Sequence, residues 1–575
     1  MHYFFLCCFL LMAHWGAAQT TEPNVFTINV HETSDPYNLN PVTSTAANAE
    51  NIEDNIFCRL LDYNRETFQL EPVLATQLPV IEVPQKGDYK GGMALTYEIH
   101  AAAQWDNGTP VTGYDYLFTV KAAKHQMIES PKRSSLEFVD AIEVDKSNPK
   151  KFTVYAKNLS SMAAMVTGYN LHILPEYVYD PQQVLRAVSL ATLEEDPNRY
   201  SVAVKEFADN FSADQYSNGV EFIEGCGPYE LVEWVAGDQL ILTRKKNWWG
   251  DKVEDNPHLQ AYPEKIVYHI IPSPNWALSK LEKGELDIVR NVPPKLFYES
   301  QEKEEFKNKV TFHEPSQFAY HYLAFNAQSP KLSDKRVRQA IAHAIDRDRI
   351  VQELFGGAAM KVNTPVSPHR DHYNMNVKGV NFDLEKAAEL LEKAGWKDTD
   401  GDDILDKKVN GKLVKLRLKY NYNRNNIVRK GIGKLLQENL ATIGVRMDLY
   451  PIDFPVLLQN ASNRDYEIIA LAWVNSPGSD ELKNIWHTSA DTKSGGNRVG
   501  FGTPKTDKLI DQILTTLDDN ERKKLYLEFQ ERVAAEYPYA FLVVPNQLVM
   551  IREGLTYPQL GPVRPGYVTR LFQQN

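Results

Sequence analysis

LSDKRVRQAIAHAIDRDR, residues 332–349, carries five lysines or arginines against three aspartates, and the spacing of its apolar residues decides what kind of surface it makes. Val337, Ala340, Ile341, Ala344 and Ile345 fall at i, i+3, i+4, i+7 and i+8, one apolar stripe about 100° wide. Arg336, Arg338, Gln339 and His343 take the other side, and Ser333 or Asp334 can accept the free backbone N–H groups at the start. The stretch therefore reads as a packed helix with a solvated, salt-bridged face. It does not read as a polyanion site. The net charge of −12 agrees, because phosphate neutralisation needs concentrated Lys and Arg, and no nucleic-acid partner is expected.

Around this helix the chain is long and mixed. At 575 residues it exceeds the ~250–300 that one core sustains, so two or three domains are expected. Upstream, Val25, Phe26, Ile28 and Val30 mark an opening strand, and Glu50 to Tyr63 reads as a helix with Ile52, Ile56, Leu60 and Leu61 on one face. A helix after Gly113 and a strand from Lys151 to Ala156 follow. GCGPYELVEWVAGDQLILTRKKNWW (225–249) reads as a hairpin turning at Ala236-Gly237-Asp238, and Trp276 to Lys283 as a helix stopped by Gly284. Downstream, helices and strands alternate through 383–394, 413–420, 427–442, 445–450, 454–460, 466–473, 504–516 and 519–536, with a final strand pair at 540–551. The pattern is α/β in at least two lobes.

The first residues read as an export signal. An apolar run from Phe4 to Met12 precedes Gly16-Ala17-Ala18, which suits cleavage before Gln19, although His2 stands where a Lys or Arg is usual. Residues 1–18 are thus expected to be a signal peptide, too short for a permanent anchor. Cys7 and Cys8 follow bulky Leu6, so no lipid anchor is expected, and the mature protein is placed in the periplasm or at the cell surface. Cys58 and Cys226 remain, either as one disulfide or as two buried thiols.

Catalytic signatures are missing from the sequence. It holds no His-Glu-x-x-His, no Cys-x-x-Cys and no phosphate-binding Gly-x-x-x-x-Gly-Lys-Ser/Thr. VNSPG (474–478) has Val474 where a nucleophile elbow needs Gly, and GIGKLL (431–436) lies in a helical pattern. Asp398, Asp400 and Asp402 have the spacing of calcium ligands, but Asp403 stands where the loop wants Gly and Val409 where it wants Glu. Neither metal nor cofactor is expected.

YLAFNAQSPKLSDKRVRQAIAHAIDRDRIVQELFGGAAMKVNTPVSP (322–368) closely resembles the signature region of the family 5 extracellular solute-binding proteins of ABC transporters, the oligopeptide and dipeptide type. WDNGTPVTGYDYLFTV (105–120), GCGPYEL with LTRKKNWWG, LEKGELDI (281–288), AGWKDTDGDDILD (394–406) and NRVGFGTPKTDKLID (497–511) resemble further segments of that family in the same order. The resemblance implies a periplasmic-binding-protein-like clamshell of type II with an extra subdomain. Lobe I would be 19–317 plus 541–575, with an insertion of about 46–174; lobe II would be 318–540, with hinge crossings near Phe318 and Ala540.

It also implies a monomeric, non-enzymatic protein that captures a peptide or peptide-like solute and delivers it to a membrane ABC permease. A non-peptide polar or amphiphilic solute, or a secreted hydrolase, is the alternative. Peptide-binding relatives place an Asp three residues after a Trp to hold the ligand ammonium; here the Trp is Trp473 and the later position is Ser476, with Asp480 and Glu481 farther along. Asn423 and Arg424 stand where relatives place a carboxylate contact. Asn475, Ser494 and Asn497 complete the expected lobe II set, and Asn38, Asn40 and Tyr229 the lobe I set.

Overall fold

The computed structural model describes residues 25–409, 411–478, 480–493, 495–558 and 560–575. The expected signal peptide and Ser494 lie outside the described residues. Strand Thr27–Glu32 buries Ile28 and Val30 and pairs in parallel with Lys265–Ile270 on one side and Ile288–Arg290 on the other. The hairpin Tyr229–Val235 and Gln239–Arg244 adds to Lys265–Ile270, with Gly237 supplying the turn's φ of 75°. Val549–Arg552 and Val310–His313 complete a seven-stranded sheet at its other edge. Between its first two strands in the chain lies a four-stranded antiparallel sheet, Val80–Glu82, Met93–Glu98, Lys151–Ala156 and Ala141–Val144, accompanied by the capped helix Gly113–Lys124.

The second large sheet orders Arg446–Ile452, Arg417–Asn423, Ile468–Val474, Ala319–Phe325 and Tyr539–Phe541. Its strands alternate between two cores: Leu323, Phe325, Ile468 and Ala470 face one, Tyr320, Tyr322, Ile469 and Leu471 the other. Covering both faces of such a sheet makes the second lobe an α/β sandwich. The apolar stripe Val337, Ala340, Ile341, Ala344 and Ile345 lies entirely in the first of these cores. The chain passes from lobe to lobe through 314–318 and again between Pro545 and Val549. These passages are neighbours, bridged from Ser316 to Asn546, and the Gln547 N–H donates to the Pro315 carbonyl at 2.7 Å.

Three local expectations are corrected. The helix opening at 332 runs only Lys335–His343, capped by Asp334, and a new turn starts at Asp346, whose carboxylate accepts the Arg349 N–H. Arg338 is buried, not solvated: its guanidinium donates to the carbonyls of Leu332 (2.7 Å) and Glu536 (2.6 Å), closing the C-terminus of helix Asp519–Glu536. The helix expected over Glu50 to Tyr63 is Ala47–Ile56, after which Leu61–Tyr63 becomes a strand against Leu70–Pro72. Leu60 and Leu61 are buried as the pattern required, by pairing instead of helix packing. Among the described residues no helix is long and apolar enough to cross a membrane.

Candidate functional site

Between the lobes lies a cavity of about 1020 Å³. Lobe I contributes Glu50 and Asp54 from helix Ala47–Ile56, Arg59 just after it, and Met165, Val166 and Tyr169 from the turn Met165–Tyr169. Lobe II contributes 474–477 and 480–484, the loop that leaves strand Ile468–Val474. Pro562, Val563 and Arg564, near the end of the chain, close one side.

On the lobe I wall two acids sit on one helix and are held by one arginine. The buried Arg59 guanidinium donates to Glu50 Oε1 at 2.9 Å and to Asp54 Oδ1 at 2.6 Å, gives another N–H to the Tyr169 carbonyl at 3.0 Å, and lies 4.4 Å from the Tyr169 ring centroid. His172 Nε2 stands 2.8 Å from Asp54 Oδ1. Burial works against the Asp54 carboxylate, but Arg59 and the His172 hydrogen bond outweigh it and hold its pKa below the ordinary value. Burial, reinforced by the Arg59 charge, pushes His172 down to about 4, so the imidazole is neutral at pH 7. Behind the wall, burial pushes Glu53 up to about 8.

On the lobe II wall the Asn475 N–H donates to the Phe318 carbonyl at 2.7 Å, and the Ser476 carbonyl accepts from Arg370 Nη2 at 3.0 Å. Asp480 is buried; its carboxylate lies 3.2 Å from His372 Nε2 and 3.7 Å from Arg370 Nε. Although burial opposes ionisation, Arg370 and then His372 lower its pKa. The lobes touch around the cavity. The Ser161 N–H donates to the Leu514 carbonyl at 2.7 Å and its hydroxyl to the Ile513 carbonyl at 3.2 Å, while the Phe68 ring packs edge-on against Phe318 and His369.

Of the residues expected from sequence, the structure brings Asn475, Ser476, Asp480 and Glu481 together on this wall. Trp473 does not line it: its Nε1–H donates to Tyr539 Oη at 3.4 Å and its ring lies parallel to Tyr322 at 6.3 Å. Asn423 Oδ1 accepts from Arg429 Nη1 at 2.9 Å, and exposed Arg424 pairs with Asp453 at 3.0 Å, both away from the cavity. Buried Asn497 pins its own loop, donating to the Phe501 carbonyl at 2.7 Å. Tyr229 is fully buried, its hydroxyl on the Pro263 carbonyl at 2.8 Å, and Asn38 and Asn40 shape a turn in which Asn38 Oδ1 accepts the Asn40 N–H at 2.8 Å.

Asp400 and Asp402 are occupied by the Lys415 ammonium. Asp398 accepts backbone N–H groups of Gly401 (2.7 Å) and Asp403 (3.0 Å), so the acidic loop is satisfied from within. Asp406, not Asp402, completes the convergent trio with Asp398 and Asp400. Cys58 and Cys226 are buried free thiols; burial, and then the side-chain hydrogen bond with Cys58, push the Cys226 thiol up. Sequence reasoning missed Glu50, Asp54, Arg59, Met165, Tyr169 and Arg564, which only tertiary folding assembles.

Two lobes, a paired crossing and a cavity walled by both define a clamshell protein that encloses a solute. Residues 69–495 match the family described as bacterial extracellular solute-binding proteins, family 5 Middle, and the chain belongs to that family. The oligopeptide-binding protein AppA of Bacillus subtilis (strain 168) is 27% identical over 481 residues, covering 83% of this chain and 80% of that one. The solved structure of AppA from Bacillus subtilis in complex with a nonapeptide superposes with a TM-score of 0.70 at 24% identity, over 96% of this chain and 99% of the other. DppA from Helicobacter pylori, solved in complex with peptide STSA, gives a TM-score of 0.69 at 20% identity over 96% and 98%. At these identities the two structures establish the shared fold.

Proposed function

We propose that this protein captures oligopeptides or peptide-like solutes outside the cytoplasm, closes its lobes around them and hands them to an ABC permease, acting as a monomer and catalysing no reaction. The observation that carries this reading is the cavity of about 1020 Å³ between lobes already in contact, at the top of the ~300–1,000 Å³ range of small-molecule pockets. The peptide relatives AppA and DppA support it. So does the wall chemistry: Met162, Met165 and Val166 offer an adaptable apolar surface for varied side chains, and Asn475 and Ser476 offer polar groups for a peptide backbone.

Of the expected site residues, Asn475, Ser476 and Glu481 would contact ligand, while Asp480, committed to Arg370 and His372, would hold the loop's shape. The proposed lobes are 19–317 plus about 546–575, with the insertion of about 46–174 in lobe I, and 318–545; the boundary expected at Ala540 moves because Tyr539–Phe541 belongs to the lobe II sheet and the chain crosses only after Pro545. Residues 1–18 would be removed on export. The test is to purify the mature chain without refolding, identify co-purified solutes by native mass spectrometry, and follow thermal stability with a defined peptide mixture. A ligand at a hundredfold excess over Kd adds about 2.7 kcal/mol to the folded state. Absence of both bound peptide and a thermal shift with every mixture would overturn the reading; cleavage of the peptides would replace it with a hydrolase.

A further inference from the structure

Charge on the cavity wall is unbalanced in one direction. Its anions are already engaged: Glu50 and Asp54 by Arg59 at 2.9 and 2.6 Å, Asp480 by His372 at 3.2 Å and Arg370 at 3.7 Å. Glu481 also has a partner. Three wall cations, Lys132, Lys483 and Arg564, have no side-chain hydrogen bond or ion pair among the described residues. A chain whose net charge is −12 therefore presents unneutralised positive charge where its two lobes meet.

Arg564 is the cation built into the fold. Its backbone is held on both sides: the Val563 and Arg564 carbonyls accept from Arg65 Nη1 at 3.2 and 3.3 Å, and the Gly566 N–H donates to the Val563 carbonyl at 2.9 Å. Val563, Pro565, Gly566 and Tyr567 are buried around it, while its own side chain stays exposed on the cavity wall. The Arg290 charge repels it, and the attraction it feels comes from Glu50, which Arg59 already holds. A ligand filling the cavity strips water from this charge, and a desolvated charge without a counter-ion is costly. A planar fork of N–H donors matches a carboxylate in two parallel hydrogen bonds, which the lysine ammoniums cannot supply.

We infer that the cavity takes ligands bearing a free carboxylate and that Arg564 receives it, which makes Arg564 a specificity-determining residue. This rests on the peptide reading above. The experiment uses one randomised oligopeptide library synthesised in two forms, C-terminal acid and C-terminal amide. Capture on the wild-type protein and mass spectrometry identify binding sequences, and calorimetry then compares the acid and amide of each on wild type, Arg564→Gln and Arg564→Lys.

On wild type the acid is expected to bind about tenfold or more tighter than the amide. Arg564→Gln is expected to bring the two forms to near parity by weakening the acid alone, and Arg564→Lys to keep part of the preference. Equal affinity of acid and amide on wild type overturns the inference and leaves the peptide reading standing, and this comparison needs no variant to fold. A preference that survives Arg564→Gln also overturns it. Binding of neither form overturns both.

Discussion

Glu53 sits in lobe I on the same helix as Glu50 and Asp54, with one carboxylate oxygen buried and lacking a hydrogen-bond partner. Burial raises its pKa from 4.5 to about 8, partly countered by a hydrogen bond with Ser44 and by the Lys132 charge, while Glu50 and Asp54 push it further up. The native state thus binds this proton more tightly than the unfolded chain. Its stabilising contribution is complete below pH 4.5 and is lost as pH rises to about 8. Glu53→Gln keeps the shape and removes the titration. In denaturant melts from pH 5 to 9 the variant should be more stable than wild type at the alkaline end, by on the order of a few kcal/mol, and indistinguishable near pH 5. Parallel curves across that range would mean that Glu53 does not titrate there.

His172 acts with the opposite sign. Held neutral down to about 4, it contributes stability that is full above its unfolded pKa of 6.5 and is lost as pH falls from there to about 4. His172→Gln should therefore flatten the acid side of the wild-type profile and leave the alkaline side unchanged. An unaltered acid limb in the same melts would count against this assignment.

At the scale of elements, Arg338 shows where periodicity stops informing. Its position opposite the apolar stripe placed it in solvent, yet helix Asp519–Glu536 ends beside it, and the left-handed residue Tyr537 that stops that helix leaves carbonyls which the guanidinium bonds. Arg338→Ala should cost about 2–3 kcal/mol in urea unfolding, because charge-assisted bonds to the buried Leu332 carbonyl and the part-buried Glu536 and Tyr537 carbonyls are lost, and Arg338→Lys should recover only part of it. A cost under about 0.5 kcal/mol would show that water satisfies those carbonyls equally well.

The contrast explains how much of the molecule was legible in the sequence. Alternation and helical stripes are properties of single elements, so the 225–249 hairpin, strand Lys151–Ala156 and the buried face of helix Lys335–His343 were readable. The lobe II half of the cavity was partly readable, because Asn475 to Glu481 follow one strand in the chain. Arg59 and Arg564 meet the same cavity from positions 505 residues apart, and no local pattern marks such a meeting. Trp473 misled for a related reason: a residue at the end of a strand turns either to the cleft or to the core, and Tyr322 and Tyr539 provide the core side with an aromatic stack.

At the scale of the whole molecule, a close approach between the lobes beside the cavity involves a residue with no side chain. Gly478, in the lobe II loop, stands so close to lobe I that an added Cβ would lie 1.8 Å from Tyr63 Oη and 2.6 Å from Met165 Cγ. Tyr63 cannot easily retreat, since it is buried and packed edge-on against Tyr169 at 4.7 Å. Gly478 does not have a positive φ, so alanine suits its backbone; the obstruction exists only when the lobes are together. Hinge closure depends on a few such approaches, because packed surfaces do not deform continuously. Gly478→Ala should therefore leave the ligand-free protein's stability within about 0.5–1 kcal/mol of wild type. It should weaken peptide binding about tenfold or more, the affinity being reduced by the fraction of molecules able to close. Small-angle scattering on the variant with saturating peptide should retain the profile of the open form, whereas wild type contracts. If the variant contracts as fully as wild type and binds as tightly, the 474–484 loop does not gate the cleft and the meeting of Gly478 with Tyr63 is incidental to closure.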